Sequence, residues 1–382
     1  MLGHLFAVRA IRDPQWDAWG RGDDIVSGNT SAGVNVTQGA AQTLVTVYTC
    51  VSFIADAVAA LPVEVYRDVQ GVRVPVSKPR WLDRPNPERS WQEFAHEFTS
   101  SLLLDGNAYV LPIANGSGQT TEAYVLNPKA VKVVRNSSNG RAEYSVNEKP
   151  LPAGAVYHAR SYPVPGELKG LSPVDACRET IGTGLALERF AGRFFGGSST
   201  PSGVIQAPGN LTADQAEMIK SRWESFHRGV SQAHGIAVLS GGAEYRPITI
   251  APEAAQFLQS RNFTASQIAA LFKMPPELVG ASLMGSSGIT YANITDRWNE
   301  LIRRWLPWIE QMRRMVTAML PGPGETGWVA EIDTDVYARA DIATRYAAYA
   351  TGIGSGFLTP DEARAEEDLP PIGQSPAQEL PT

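Results

Sequence analysis

The chain has 382 residues, of which 43 % are hydrophobic and 19 % are charged, so it is long enough for two or three domains with a sizeable core. Its formal net charge is −6 at pH 7, and most of the acidic excess lies in the tail after residue 360, which leaves the body close to neutral. A protein that grips DNA through its phosphates is normally basic, so this charge disfavours tight DNA binding.

The cysteines and the apolar runs exclude further classes of protein. Cys50 and Cys177 lie in apolar helical stretches, so we expect reduced core residues and no disulfide. No run approaches the ~18 apolar residues that a membrane helix needs. The first residues lack the apolar core of a secretory signal peptide. We therefore expect a protein of a reducing compartment with no membrane span.

The N-terminal region predicts an arm, a helix and a strand. Residues 1–40 are polar and rich in small residues, and we expect them to form an extended arm. Apolar residues at helical spacing predict a helix over 44–61, and the alternation that follows is typical of a strand. The positions expected to face the core are Leu44, Val47, Tyr48, Val51, Ile54, Val58 and Leu61.

A second helix and several short strands follow. Ser90 and Glu93 have the spacing of a capping box, which predicts the start of a helix. Short strands are predicted over 109–159, with a hairpin turn at Asn139 and Gly140. The first 170 residues are therefore predicted to form a mixed α/β domain.

Two long helices are predicted next, over 172–195 and 252–274, with Ser172 and Pro173 as the N-cap and first turn of the first. The insert between them predicts a strand, a capped helix and two strands, over 203–206, from 212, and near 236–239 and 244–250. By pattern alone, this insert fits equally well a compact domain carried on a helical hairpin.

A small-residue loop separates the second long helix from a third. Pro275 and Pro276 are expected to end the second helix, and an almost uncharged loop follows them. The next helix is predicted from Asn293 to Leu320, with a kink at Pro307. Its polar face carries Arg297, Arg303, Arg304, Arg313 and Arg314. That face is either solvated or in contact with another subunit, or it contacts DNA phosphates.

The sequence contains no recognisable motif for catalysis. The chain lacks the GxxxxGK[ST] loop that cradles nucleotide phosphates. The stretch from Gly285 to Gly288 lacks the strand–elbow–helix context of a hydrolase nucleophile. His227 and His234 are seven residues apart across a glycine-containing turn, which is not the ligand spacing of a zinc site. We therefore expect no enzymatic activity, no cofactor and no metal site.

Ordered sequence blocks resemble a known family. The residues that carry the resemblance are Ile268, Ala269, Phe272, Pro275, Pro276, Leu278, Val279 and Gly280, followed by Ser287, Tyr291 and Asn293. Further blocks lie at 44–67, 84–110, 170–195, 201–205 and 237–248. Over roughly residues 40–320, in this order, the chain resembles the portal (connector) proteins of tailed double-stranded DNA bacteriophages. Met274 replaces the valine that is usual before the two prolines.

The resemblance implies an α+β portal fold with an α/β wing, a two-helix stem, a small α/β clip, a long kinked wing helix with a tunnel loop, and a short helical crown. The implied divisions are an N-terminal arm (1–40), the first part of the wing (41–170), a stem helix (171–199), the clip (200–250), a stem helix (251–276), the tunnel loop (277–291), the second part of the wing (292–335), and the crown with the C-terminal tail (336–382).

The resemblance also implies a function and partners. Portal proteins form rings, in the virion dodecamers, at one capsid vertex, after assembly in the host cytoplasm. Double-stranded DNA passes through the ring, held weakly and without sequence preference, during packaging and ejection. The implied protein partners are the large terminase subunit, the major capsid protein and head–tail connector or adaptor proteins.

Candidate site residues follow from this assignment. The tunnel loop would present Leu283, Met284, Gly285, Ser286, Ser287, Gly288 and Ile289. Arg297, Arg303 and Arg304 are candidates for contact with DNA or a neighbouring subunit, and Arg222, His227 and Arg228 for the partner-facing surface of the clip. The alternatives are a subunit of a DNA-processing enzyme and a non-viral oligomeric scaffold.

Overall fold

The computed structural model describes residues 30–69, 72–195, 253–281, 294–322, 327–334, 336, 342–367 and 369–372, with a few positions between 203 and 247. Helices and antiparallel sheets both contribute in these ranges, which confirms the predicted α+β class. None of the helices described there is both long and apolar enough to span a membrane.

The N-terminal half combines helices with short strands. The helices are α1 (Gln38–Gln42), α2 (Val45–Ala59), α3 (Arg80–Asp83), α4 (Trp91–Leu104), α5 (Pro173–Ala176) and α6 (Arg178–Phe195). The strands are β1 (Val63–Val69), β2 (Val72–Pro75), β3 (Asn107–Ala114), β4 (Thr120–Leu126), β5 (Val131–Arg135), β6 (Ala142–Val146), β7 (Lys149–Pro150) and β8 (Tyr157–Arg160).

The described part of the C-terminal half is mostly helical. Its helices are α7 (Glu253–Leu271), α8 (Ile294–Met319), α9 (Ile342–Gly354) and α10 (Pro360–Ala365). Its strands are β9 (Gly203–Gln206), β10 (Glu244–Pro247) and β11 (Trp328–Ile332).

Four small antiparallel sheets organise the described strands, in the orders β11-β1-β2, β4-β3-β8, β5-β6-β7 and β10-β9. The pairing of β1 with β11 places Val65 opposite Ala330, and both side chains are buried. The chain after α8 therefore returns to the sheet that follows α2, so distant parts of the sequence share one core.

The main core lies between α2, α4, α8 and the first sheet. α4 begins at the predicted capping box: Ser90 Oγ accepts a hydrogen bond from the Glu93 N–H, and the Glu93 carboxylate accepts one from the Ser90 N–H. Phe94, Phe98 and Leu102 are spaced by about one turn and are completely buried. Burying each such side chain contributes about 1.5–3 kcal/mol, so the apolar face of α4 is a principal stabilising element.

Several local predictions are confirmed. β5 and β6 form the expected hairpin, with Gly140 at φ +69° in its turn. In the insert, β9 and β10 pair antiparallel, and Thr212 and Gln215 exchange the hydrogen bonds of a helix cap. The strand expected near 236–239 lies outside the described residues.

The cysteines are free thiols, as expected. Cys50 is buried and Cys177 is partly buried. Burial raises the pKa of the Cys50 thiol to about 12, so this sulfur is an inert part of the core.

The first long helix of the prediction is divided. Cys177 leaves helical geometry, with φ −110° and ψ 24°, and separates α5 from α6. Its N–H bonds to the Pro173 carbonyl at 3.1 Å and so closes a short turn, after which α6 begins on its own. Ser172 is the predicted N-cap, but of the short helix α5.

Residues 30–40 do not form an extended arm. Val34 and Val36 are buried in the main core, and Thr30 Oγ1 donates to the Val34 carbonyl at 2.9 Å. Thr30 also fits against Gly182 of α6, where an added Cβ would lie 2.6 Å from the threonine methyl group. An arm can therefore include only residues before these.

One residue of the predicted core faces solvent. Tyr48 is 61 % exposed, whereas the other six positions expected to face the core from 44–61 are buried. The buried stripe of α2 is centred on Val47, Val51 and Ile54, and Tyr48 falls beyond its edge.

Candidate functional site

Two groups of predicted site residues lie outside the described residues. They are the loop residues Leu283, Met284, Gly285, Ser286, Ser287, Gly288 and Ile289, and the insert residues Arg222, His227 and Arg228. Both groups remain predictions. The structure describes the residues on each side of the loop, 253–281 and 294–322.

The helix before the loop ends earlier than predicted and by another mechanism. α7 ends at Leu271, three residues before Met274, because Lys273 adopts the left-handed conformation with φ +55°. The Met274 N–H bonds to the Ala269 carbonyl and the Lys273 N–H to the Ala270 carbonyl, which is the Schellman pattern. The two prolines follow this cap and do not themselves end the helix.

The two sides of the loop are held together by charged side chains. Glu277, in the short 3₁₀ turn Pro276–Val279, lies 3.3 Å from Arg297 in the first turns of α8. Nearby, the ammonium group of Lys273 lies 5.1 Å from the centre of the Trp308 ring, which is within cation–π range. Lys273 and Glu277, which precede residues 282–293, therefore both contact side chains of α8.

The arginines on α8 are mostly paired with glutamates of the same subunit. Arg304 Nε donates to Glu300 at 3.1 Å, one turn earlier. Arg303 is exposed and forms no ion pair with any residue that the structure describes. Together with the pair at Arg297, this leaves one of the three predicted contact arginines without a carboxylate partner in those parts of the chain.

A third glutamate pairs with the arginines further along α8. Arg313 and Arg314 both donate to Glu310, at 2.7 and 2.8 Å. The hydrogen bond from Arg313, followed by that from Arg314, lowers the pKa of Glu310 to about 2. These groups are more than a third exposed, so the pairs add little stability.

The tryptophans of α8 pack against the rest of the subunit. Trp305 is fully buried, and the Trp308 indole N–H donates to Ser161 Oγ at 3.0 Å. Trp298 stacks on Phe53 of α2 with ring centroids 6.2 Å apart. α8 continues through Pro307 without a break in its assignment, and the predicted kink remains a prediction.

The two long helices α6 and α7 lie side by side. Arg261 pairs with Glu188, and the rings of Phe190 and Phe257 are 5.6 Å apart. Phe263, which is 61 % exposed, lies on the outer face of α7. The pair therefore presents an apolar side chain to its surroundings.

A junction that sequence reasoning missed joins the first domain to these helices. Gly106 has φ +77°, and an added Cβ would lie 2.1 Å from the Leu171 carbonyl oxygen. Asn107 Oδ1 accepts from the Gly170 N–H at 2.6 Å, and its amide group donates to the Gly170 carbonyl at 3.0 Å. Ser172 Oγ donates to the Leu104 carbonyl at 3.0 Å. The chain is thereby fixed in direction where it enters α5 and α6.

A histidine completes this junction. His158 Nε2 lies 3.0 Å from Asn107 Oδ1, and its Nδ1 lies 3.3 Å from the Tyr144 hydroxyl. Because Asn107 Oδ1 can only accept, Nε2 carries the proton and Nδ1 accepts from Tyr144. Burial, aided by the positive charges of Arg160 and Lys169, lowers the pKa of His158 to about 4.

The junction could have been suspected, because Gly106 and Gly170 fall within two of the resembling blocks. Their contact could not be predicted, since nothing in the pattern pairs residues so far apart in the chain.

In the described ranges, no group of three histidine, cysteine or acidic side chains is arranged to hold a metal ion.

Comparisons with known proteins agree with the family resemblance seen in the sequence. The sequence model of the family described as phage portal protein matches residues 45–368. The chain is 26 % identical to the probable portal protein of Streptomyces phage phiC31, covering 97 % of this chain and 84 % of the relative. It is 28 % identical to the portal protein of Enterobacteria phage HK97, covering 86 % of this chain and 79 % of the relative.

A solved structure has the same fold. A chain in the neck of a native gene transfer agent (GTA) particle, computed with C12 symmetry, matches with a TM-score of 0.61 at 24 % identity, covering 86 % of this chain and 91 % of that one. The predicted function and location, those of a portal protein of a virion, are confirmed. From the family match over most of its length, the chain belongs to the phage portal protein family.

Proposed function

We propose that twelve copies of this chain form a ring at one capsid vertex, and that genome DNA passes through the central channel during packaging and ejection. The similarity in fold to a chain from a neck computed with C12 symmetry supports this proposal, together with the match of this chain to the portal family model. The near-neutral body suits the role, because a channel must let DNA slide.

Each part of the ring is assigned to a part of the chain. The wing would comprise 41–170 and 292–335, which the pairing of β1 with β11 supports. The stem would be formed by 171–199 and 251–276, whose helices α6 and α7 pack together. The clip would be 200–250 and the crown 336–382 with its tail.

The tunnel loop would be 277–291, which would extend into the channel between the anchored ends of α7 and α8. Leu283, Met284 and Ile289 would give it a modest apolar face, and Gly285 and Gly288 would make its backbone permissive. The Schellman cap at the end of α7 supports a fixed base for this loop.

Partners would meet the ring at different levels. The clip, through Arg222, His227 and Arg228, would face the large terminase subunit during packaging and head–tail connector proteins afterwards. The major capsid protein would surround the ring at the vertex. These contacts are inferred from what portal proteins do, and the insert between α6 and α7 is the segment best suited to an axial partner.

The portal family is structural, and we propose that this chain has no ATPase, nuclease or hydrolase activity of its own. The sequence lacks a nucleotide loop and a nucleophile elbow, which supports the proposal. An ATPase rate that follows the ring through purification and disappears with a point substitution in this chain would favour the rival, a subunit of a DNA-processing enzyme.

Electron microscopy of negatively stained wild-type protein tests the proposal directly. Rings with a central hole about 20 Å wide or more, enough for a duplex, are the expected result. Solid particles, open chains or rings with a closed centre would instead support a non-viral scaffold.

A further inference from the structure

We propose that Arg297, Arg303 and Arg304, here named the arginine strip, form a guarded contact surface for DNA phosphates. Glu277 and Glu300 neutralise two of its three guanidinium groups and so keep its hold on a passing duplex weak. This inference rests on the proposed function, because it requires that DNA passes through the ring.

The strip lies on the exposed side of the start of α8. Arg297 and Arg304 are seven positions apart, so they share one face of the helix about two turns apart, and Arg303 lies about a quarter turn around the helix from Arg304. All three are exposed, and the Arg297 and Arg304 side chains are each 43 % exposed. The strip directly follows residues 282–293, which places it beside the proposed tunnel loop.

The guarding carboxylates come from two separate elements. Glu300 lies within α8, four residues before Arg304. Glu277 lies in the 3₁₀ turn on the other side of the loop and reaches Arg297 across the gap at 3.3 Å. Of the three guanidinium groups, only that of Arg303 has no carboxylate partner among the described residues.

The guards are weak enough for a phosphate to displace them. Each pair is exposed to water, where an ion pair contributes little and is screened by salt. Guanidinium groups can form bidentate hydrogen bonds with phosphate oxygens, as they do with carboxylate oxygens. A phosphate that arrives at Arg297 or Arg304 therefore exchanges with a glutamate at small net gain, and the glutamate recovers its partner when the phosphate moves on.

Charge complementarity selects DNA as the occupant of this surface. The duplex carries one negative charge per ~1.7 Å of its axis, so a phosphate is always near a ring of such strips. Without guards, three arginines on every subunit would hold DNA tightly. With guards, Arg303 is the one guanidinium group of each strip that no described carboxylate pairs with.

The same chain supplies a matched control. Glu310 pairs with Arg313 and Arg314 on α8 by the same chemistry, but Arg313 is only partly exposed and both lie further along the helix. Removing the carboxylate charge there changes net charge equally without freeing an arginine of the strip.

The experiment compares Glu277→Gln/Glu300→Gln with Glu310→Gln/Glu300→Gln, in assembled rings, for binding of a short linear duplex between 50 and 200 mM salt. The first variant frees both guarded arginines, whereas the second frees only Arg304. Because each added phosphate contact makes log K steeper in log salt by about 0.9, the first variant should increase the loss of affinity over this range by about tenfold for each subunit whose strip meets the duplex. The control variant should increase the loss by only about 3.5-fold for each such subunit.

Three outcomes would overturn the proposal. If rings of Glu277→Gln/Glu300→Gln had the wild-type affinity and salt dependence, the strip would not contact DNA. Equal effects of the two variants would show that net charge alone matters. If Glu277→Gln/Glu300→Gln failed to form rings, the strip would be a contact between subunits.

Two further measurements keep the test decisive. Arg303→Gln should weaken the residual binding of wild-type rings and reduce the slope by about 0.9 for each subunit whose Arg303 meets the duplex, with ring formation unchanged. Wild-type rings with a DNA-wide hole would uphold the proposed function even if every strip variant behaved like wild type, so the two proposals can fail separately.

Discussion

Gly106 and Asn107 show how much one or two residues determine at the junction between the first domain and the long helices. The glycine lets the backbone pass under the Leu171 carbonyl, and the asparagine bonds to both sides of Gly170. Such contacts join segments 63 positions apart. The direction in which α5 and α6 leave the domain therefore depends on two small residues.

Gly106→Ala should destabilise the protein by about 2–4 kcal/mol, because the new Cβ collides with a carbonyl oxygen and φ +77° disfavours any side chain. Denaturant unfolding followed by circular dichroism measures the change. Gly118→Ala is the matched control, since Gly118 has φ +78° but open space around its Cβ position. It should cost only about 1 kcal/mol; equal losses at both sites would mean that packing at Gly106 is unimportant.

His158 should make stability depend on pH. Its folded pKa is about 4, below the ordinary value of 6.5, so the unfolded chain binds the additional proton between these values. The contribution of neutral His158 is fully present above pH 6.5 and is lost as the pH falls towards 4. A loss of about 1–3 kcal/mol across this window is expected.

The measurement is the free energy of unfolding at pH 7.5 and pH 5 in the wild type and in His158→Gln. Glutamine can still donate to Asn107, but it has no proton to gain, so the variant should lose less stability on acidification. Other titrating groups, such as the buried Asp105, are common to both proteins and cancel in the comparison. The same pH dependence in both proteins would assign the effect to another group.

At the scale of elements, the end of α7 is set by a left-handed lysine. The Schellman hydrogen bonds at Lys273 and Met274 complete the helix, although glycine is the usual residue in that conformation. The contact of Lys273 with Trp308 offsets part of the cost. The start of the loop is thereby fixed relative to α8 by a side chain as well as by the backbone.

Gly285→Pro or Ser286→Trp should leave ring formation intact and reduce packaging of DNA or its retention in particles. The reason is that a loop extending into the channel would bury little surface between subunits, while stiffness or bulk would narrow the passage. Particle yield and DNA content per particle, scored together with ring formation, check this. If the variants failed to assemble and packaging per assembled ring stayed normal, the loop would be a subunit interface.

At the scale of the whole molecule, the described subunit exposes apolar side chains that a monomer gains nothing by exposing. Val45 and Phe357 are the most exposed of these, at 78 % and 77 %, and Phe263 and Tyr48 are each 61 % exposed. Val45 and Tyr48 lie on α2, Phe263 lies on α7, and Phe357 lies between α9 and α10.

Because the chain belongs to the portal family and only 19 % of its residues are charged, the protein should be a large oligomer at micromolar concentration, with the monomer a minor species. Twelve subunits of 41.2 kDa would have a mass of about 494 kDa. Native mass spectrometry distinguishes this from smaller species. Monomers or dimers alone at that concentration would count strongly against the ring.

The assembled rings should bind linear duplex DNA weakly at physiological salt and without sequence preference, because sliding requires shallow contacts and each cation–phosphate pair adds salt-dependent hold. A mobility-shift titration with two unrelated sequences measures this. Nanomolar binding to one sequence in preference to the other would contradict a passive channel.

The sequence by itself determined the features that depend on neighbours in the chain. Helical spacing predicted α2, the reciprocal pattern of Ser90 and Glu93 predicted the start of α4, and Asn139 with Gly140 predicted the hairpin turn between β5 and β6. Capping, periodicity and turn chemistry act within a few residues, so they are legible without a structure. The ordered blocks likewise predicted the family.

Only the tertiary structure decided what depends on residues brought together from far apart. The pairing of β1 with β11, the junction of Asn107 with Gly170, and the pairing of Arg297 with Glu277 each join segments that no local pattern relates. The burial of Val34 and the exposure of Tyr48 have the same origin, because a side chain is buried only where a neighbouring element covers it. Periodicity states which faces are apolar, and packing decides which of them are covered.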